Sequence, residues 1–409
     1  MDENYKLAKE AFVAGHQGTS AREVFLVFAI SPGSLWLYSE LLLLLEVVGI
    51  RQIGSGNLNL ATTILLEFLV TVLPTMIGFS FAEYAVPLLV MMYALAALLC
   101  ALSRFHAKEY IHKHCRKETM NQLLEKELPF LTNFRAQIMI STCFAILAVD
   151  FTVFPRRFAK TENYGFSVMD IGVGAFIVSS AITSAPARQA RPNASTKGFL
   201  TVKGVNYQYG GEEYILDAPR DNLMSQNREG ILSLAGYTPL YMLAVYAGQS
   251  IFSFMDTNGA KLQRNMRWLV ISLFAVAGLL WLSTFLSVRL VARPSRRMLN
   301  LSYLLWVMAE SITLLALYCA IQTFRWHACY REFLFSSRES TATSSSSSSW
   351  LELTLPSATQ ANLMTGAVNL SMHTINTKPV VAGTVLLAYM LAVCVLASVL
   401  QHAGVRIKL

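Results

Sequence analysis

Charge is what this sequence has least of. Only 14% of its 409 residues are Asp, Glu, Lys or Arg, against roughly a quarter in a soluble domain. With 54% of the chain hydrophobic, there is too little charge for a soluble surface and too much apolar length for one core. Recognised catalytic signatures are missing as well. No GxSxG elbow, HExxH, P-loop or GxGxxG occurs, which excludes the hydrolase, zinc-protease, nucleotide-triphosphatase and dinucleotide-binding classes built on them. Cysteine is sparse: Cys100, Cys115, Cys143, Cys319, Cys329 and Cys394 show no CxxC and no Cys/His ligand spacing, so they read as small buried hydrophobes. "HAKEYIHKHC" gathers His106, His112, His114 and Cys115, but the lysines and arginines around it mark a solvated basic loop rather than a metal site.

What is present is length for a membrane. The expected fold is all-α, a polytopic transmembrane helix bundle of about nine or ten spans. A span needs about 20 mostly apolar residues. The segments 24–47, 60–79, 82–102, 137–154, 167–186, 237–255, 267–290, 301–323 and 381–401 meet this, and 355–372 is a weaker tenth. The whole of 1–409 reads as a single multi-span membrane domain. Met1 to Glu23 is polar and mixed in charge, so the first span is expected to act as its own targeting signal. The net charge of +8 fits loops under the positive-inside rule, with the lipid bilayer and no nucleic acid as partner.

The basic loop 103–135 is expected in the cytosol, which puts the N-terminus on the lumenal side. Asp150 to Asp170 then falls at the lumenal face, and 187–235 and the "VRLVARPSRR" turn at 288–297 on the cytosolic face. The serine-rich stretch 338–349 cannot build a core and reads as a disordered loop. Of the sequons at Asn193, Asn300 and Asn369, only Asn369 would face the lumen, and its closeness to the possible tenth span predicts no use.

The chemistry concentrates in "AVDFTVFPRRFAKTENYGFSVMD", Ala148 to Asp170. Asp150, Arg156, Arg157, Lys160, Glu162 and Asp170 are costly at membrane depth, which marks the window as functional. A carboxylate such as Asp150 at a span end can take a proton from an attacking hydroxyl. Phe154-Pro155 turns the chain between Asp150 and Lys160, whose charge can stabilise an oxyanion or a leaving thiolate. Arg156 and Arg157 match phosphate oxygens. Glu162 and Tyr164 lie on the same stretch. Asp170, inside an apolar span, either contacts substrate or pairs with Arg156 or Arg157. The alternative for the set is a structural ion pair at the interface.

Outside that window, Asn227, Arg228 and Glu229 open a helix, as a solvated first turn or as a polar wall for substrate. His16 between Gly15 and Gly18 reads as a turn, and "GVGAF" at 172–176 as helix packing through small residues. Glu67 and Glu310, also within apolar runs, await partners across the bundle.

The signature "AVDFTVFPRRFAKTENYGFSVMDIGVGAF" resembles that of the PIG-W inositol acyltransferases, called GPI-anchored wall transfer proteins in fungi. "KEAFVAGHQGTSAREV", "NREGILSLAGY", "RRMLNLSYLLWVMA" and "ANLMTGAVNLSMHT" resemble further blocks of that family, in its order. The resemblance implies a multi-pass endoplasmic reticulum membrane enzyme. It would move a fatty acyl group from long-chain acyl-CoA, a co-substrate, to the inositol ring of glucosaminyl-phosphatidylinositol, with no cofactor and no metal. It also implies that Asp150 and Lys160 are catalytic. Arg156, Arg157, Glu162, Tyr164, Asp170, Asn227 and Arg228 then stand as substrate-binding candidates. Family members are longer: "VKGVNYQ" runs almost directly into "YGGEEYILDAPRDNLMSQNREG", an internal deletion near 208–210 that removes several spans. A shortened, catalytically impaired homologue or splice product is therefore the alternative. A small-solute transporter would need two repeated halves with broken helices, and no repeat is found.

Overall fold

The computed structural model describes residues 3–47, 60–106, 128–188, 226–255, 260–327 and 356–402. The long elements are all helices: α1 (Glu3–Val13), α2 (Ala21–Phe28), α3 (Ile30–Val47), α4 (Leu60–Glu67), α5 (Leu73–Ser80), α6 (Ala85–His106) and α7 (Pro129–Ala148). They continue with α8 (Val168–Ile182), α9 (Arg228–Met255), α10 (Ala260–Leu290), α11 (Leu301–His327), α12 (Pro356–Ser371) and α13 (Pro379–His402). Among the described residues the one strand-like pairing is a bridge between Thr19 and Phe166.

The segments expected to span are largely helical. Seven helices among the described residues are long and apolar enough to cross a membrane: Ala21–Leu45, Ala61–Ser80, Ala82–Ser103, Pro129–Ala148, Asn265–Leu290, Leu301–Phe324 and Pro379–Val399. The expected 167–186 shrinks to the 15 residues of α8. It stops where Thr183 leaves helical geometry and Pro186 follows three residues later. The fourth span begins earlier than expected, at Pro129, and ends at Ala148, so Asp150 lies in the turn beyond it. Residues 103–106 and 129–135 of the expected basic loop belong to α6 and α7, and Leu128 precedes α7; the rest of that loop, the stretch 338–349 and the junction near 208–210 lie outside the described residues.

The chain folds as two compact units, 1–24 with 156–316, and 25–155 with 317–409. In the second unit, polar side chains tie the helices from within, as they must where water is excluded. Gln137 donates to the Phe28 carbonyl at 2.6 Å and accepts from the Tyr318 hydroxyl at 2.6 Å. Tyr389 donates to the Cys143 carbonyl at 2.9 Å, and Tyr38 to Glu67 at 3.1 Å. Cys100, Cys143, Cys319 and Cys394 are buried thiols, as the sequence indicates.

In the first unit, α8 and α11 start at the same end and run side by side. The Tyr303 hydroxyl donates to the Asp170 carbonyl at 2.8 Å, and a Cβ on Gly174 would meet Val307 at 2.8 Å. The small-residue reading of "GVGAF" thus holds at Gly174. Helix α9 also runs parallel to α8. Near its start, Tyr237 and Tyr303 share a hydrogen bond and Gly236 packs on Leu299. Towards its end, Gln249 donates to the Pro186 carbonyl at 3.0 Å, and a Cβ on Gly248 would lie 2.5 Å from the Ile182 carbonyl.

This corrects the expected topology. The Gly165 amide donates to the Pro294 carbonyl at 2.8 Å, so the stretch after Asp150 and the 288–297 turn lie on one side. Counting three crossings between them from apolarity put them on opposite faces. The parallel run of α8 and α9 does not fit that count.

Candidate functional site

Asp150 follows α7 by two residues, and its amide donates to the Leu147 carbonyl at 3.1 Å, which closes the helix with a turn. That places the carboxylate at the helix exit, where it is buried, at 8% exposure. Helix α12 supplies a partner: the Asn369 side-chain amide donates to Asp150 Oδ2 at 2.7 Å.

The remaining signature residues belong to the first unit, at the end where α8 and α11 begin. Three segments meet there. The Thr19 amide donates to the Phe166 carbonyl at 2.7 Å, and the Glu162 amide to the His16 carbonyl at 3.0 Å. Gly15 and Gly18 have φ of +76° and +79°, so the expected turn around His16 is present. Opposite them, Gly165 has φ of +149°, and a Cβ there would sit 2.4 Å from the Gln17 carbonyl oxygen. Only glycine meets both demands. The third segment, 291–300, is closed by Asn300, whose Oδ1 accepts from the Ser295 and Tyr303 amides at 3.1 and 3.0 Å. This buried cap leaves the Asn300 sequon no room for a glycan.

Asp170 is the hub of this end. It is 1% exposed. Its Oδ2 accepts from the Thr161 amide at 3.1 Å and the Thr161 hydroxyl at 2.6 Å. Its Oδ1 accepts from Arg296 Nε at 3.0 Å, and Ser167 caps α8 by accepting the Asp170 amide at 3.1 Å. The cation paired with Asp170 is therefore Arg296, not Arg156 or Arg157. Those two arginines have other work: the Arg156 guanidinium lies 4.0 Å from the Phe12 ring centre, and Arg157 grips Glu23 through Nε and Nη2, both at 3.0 Å. Glu162 is exposed, accepts from the Gly15 amide at 3.2 Å and lies 3.8 Å from Arg297, which also donates to Asn163 at 2.8 Å. Tyr164 is half-buried on the same loop.

Lys160 is exposed and makes no hydrogen bond or ion pair with a described residue of its unit. Asn227 is exposed, one residue before α9, and Arg228 is the first residue of that helix. Glu67 finds Tyr38. Glu310, 1% exposed in α11, has no hydrogen-bond partner on either carboxylate oxygen among the described residues.

Sequence reasoning missed Asn369, Arg296 and Glu23 as partners of the signature. The signals were weak: polar residues in the least apolar of the candidate spans, a doubled arginine after Pro294, and an acid in the first turn of α2. Chemically, the loops 156–167 and 291–300 carry Arg156, Arg157, Lys160, Arg293, Arg296 and Arg297 against the single acid Glu162, with Glu23 and Asp170 added from flanking helices. The end is net positive and suits an anionic group.

The GWT1 family model matches residues 5–206 and 202–400. GPI-anchored wall transfer protein 1 of Aspergillus fumigatus is 30% identical over 511 aligned positions, covering 100% of this chain and 99% of the relative. The Schizosaccharomyces pombe protein of that name is 27% identical, over 99% of this chain and 100% of its own. The phosphatidylinositol-glycan biosynthesis class W protein of Dictyostelium discoideum is 25% identical over the full length of both. An alignment of 511 positions exceeds the 409 residues here, so the Aspergillus relative carries residues without a counterpart in this chain.

Proposed function

The chain belongs to the GWT1 family, and on that premise we propose that it is a multi-pass acyltransferase of GPI-anchor biosynthesis. It moves a fatty acyl group from acyl-CoA to the inositol ring of glucosaminyl-phosphatidylinositol, in the endoplasmic reticulum membrane. The observation that carries this reading is Asp150, a buried carboxylate at a helix exit with one oxygen held by Asn369. An inositol hydroxyl is a weak acid, so its attack on a thioester gains from proton removal as the new ester bond forms. Asp150 takes that proton; the CoA thiolate leaves. Lys160 carries the complementary charge, which counts most in the transition state, when negative charge develops on the carbonyl oxygen and the leaving sulfur. Transfer is direct, since no serine or cysteine stands beside a histidine in the signature. No metal or cofactor enters the proposed step.

A second reading has its own observation. Helices α8 and α9 run parallel and start at the same end of the unit. Residues 189–227 contain no run apolar enough to cross. A shortened, catalytically impaired homologue fits that mismatch. The deciding experiment expresses this chain in cells lacking their own inositol acyltransferase and assays acylated glucosaminyl-phosphatidylinositol. Acylated product supports the enzyme reading. Its absence, with the protein present in the membrane, supports the impaired one.

A further inference from the structure

The arginines that the sequence offers for phosphate are engaged elsewhere. Arg157 uses Nε and Nη2 on Glu23, and Arg156 lies over the Phe12 ring. Arg296 differs. Asp170 holds only its Nε, at 3.0 Å, and the terminal nitrogens have no partner among the described residues. Its side chain is 27% exposed, while that of Asp170 is 1% exposed. A buried carboxylate thus fixes a guanidinium whose outer edge is open. The other oxygen of that carboxylate binds the amide and hydroxyl of Thr161, the residue after Lys160. One buried acid therefore orients Arg296 and anchors the backbone next to Lys160, and its own charge is spent on the arginine it orients.

We propose that Arg296, oriented by Asp170, is a phosphate-binding residue, and that Lys160 supplies the second positive charge of the same site. A guanidinium edge presents two parallel N–H groups that match two phosphate oxygens, and orienting it in advance lowers the entropy cost of binding. The surroundings favour an anion: Arg293 and Arg297 flank the site in sequence, and α8 starts at it with its amide dipoles pointing outward. Asp170 acts through Arg296 and is a positioning residue. The proposal rests on the acyltransferase reading only for the source of the phosphate, which is either the inositol phospholipid or CoA.

The test is binding without turnover. Purified full-length chain in detergent is titrated by calorimetry with dioctanoyl phosphatidylinositol and, separately, with CoA. Wild-type protein should bind at least one. Arg296→Gln should weaken that ligand about ten- to hundredfold, the range for a lost hydrogen bond to a charged group. Arg296→Lys, which keeps the charge without the fork, should fall between. Asp170→Asn should weaken it too, and so should Lys160→Gln, an exposed position where folding is not at stake. Arg188→Gln, an exposed arginine six residues beyond the C-terminal end of α8, should change nothing. The ligand whose affinity responds identifies the source. No wild-type binding of either ligand, equal binding by wild type and Arg296→Gln, or an equal loss in Arg188→Gln would each overturn the proposal. Binding that behaves as expected in a chain without transferase activity would leave the phosphate site standing and the acyltransferase reading in doubt.

Discussion

Asn369 and Asp150 lie 219 positions apart in sequence and 2.7 Å apart in space, amide nitrogen to carboxylate oxygen. The contact joins the exit of α7 to the last turn of α12, two elements that sequence reasoning left unconnected. It also accounts for the Asn369 sequon: an amide already committed to a carboxylate in a half-buried position is a poor glycan acceptor. If Asp150 is the base, Asn369 orients it by holding Oδ2.

Asp150→Asn keeps the shape and cannot accept the proton, so acyl transfer should fall about 10²–10⁴-fold with expression intact. Asn369→Leu should reduce kcat by about tenfold and leave the apparent KM for acyl-CoA close to wild type, because the lost hydrogen bond orients the base rather than the substrate. Initial rates on membranes containing each variant decide the matter. Wild-type turnover in Asp150→Asn would remove Asp150 from the mechanism.

Much of the fold was legible because a membrane span is a simple demand: apolar length. The expected segments are largely helical, and Gly174 packs as its small-residue context indicates. The ends of helices were less legible. Asp150 was expected within a span and sits beyond it, since Val149 and Asp150 form a turn that apolarity alone does not reveal. Partner choice was least legible. Asp170 had Arg156 and Arg157 close in sequence, yet its cation is Arg296, 126 positions away. The short loop brings those neighbours round to α1 and α2 instead, where Phe12 and Glu23 meet them. Such pairings follow from how three segments meet, and local sequence does not carry that information.

Gly165 tests whether those three segments need each other. Its φ of +149° and the 2.4 Å that a Cβ would leave to the Gln17 carbonyl oxygen make any side chain there strained. Gly165→Ala should destabilise the chain by about 1–3 kcal/mol. It should also loosen residues 156–167, read as faster hydrogen exchange at the Thr161 amide, which Asp170 accepts in the native loop. Gly172, with open space around its would-be Cβ, is the control, and Gly172→Ala should leave exchange unchanged. Equal exchange in the two variants would mean that the junction tolerates a side chain.

Glu310 makes the opposite prediction. A carboxyl group buried in α11 with neither oxygen hydrogen-bonded among the described residues is a cost to folding. Glu310→Leu removes that cost at similar volume and should stabilise the protein by about 1–3 kcal/mol, seen as a higher midpoint of thermal unfolding in detergent. A lower midpoint would show that Glu310 satisfies its oxygens with a group outside the described chain.

The last prediction concerns the side on which the two basic loops lie. Gly165 bonds Pro294, and Arg296 bonds Asp170, so Lys160 and Arg293 belong to one end of the first unit. Both are exposed there. Helix α8 runs away from that end for 15 residues, about 22 Å at 1.5 Å per residue. Helix α9 starts back at that end and also runs away from it. The intervening residues 189–227 include Arg191, Lys197, Lys203, Glu212, Glu213, Asp217, Arg220 and Asp221, and hydrocarbon rejects such a stretch as a span. The helix arrangement and the membrane therefore make opposite demands on this chain. Lys160→Cys and Arg293→Cys, labelled in sealed microsomes with an impermeant maleimide, separate them. If the described arrangement forms in the bilayer, both cysteines react from the same side. Inserting an apolar segment of span length between Arg188 and Arg228 should then leave that result unchanged and raise acyl transfer. If the two cysteines react from opposite sides, the polar stretch has stayed out of the membrane. The chain after residue 227 is then inverted, and the Asp170–Arg296 pair does not form until the insertion restores it.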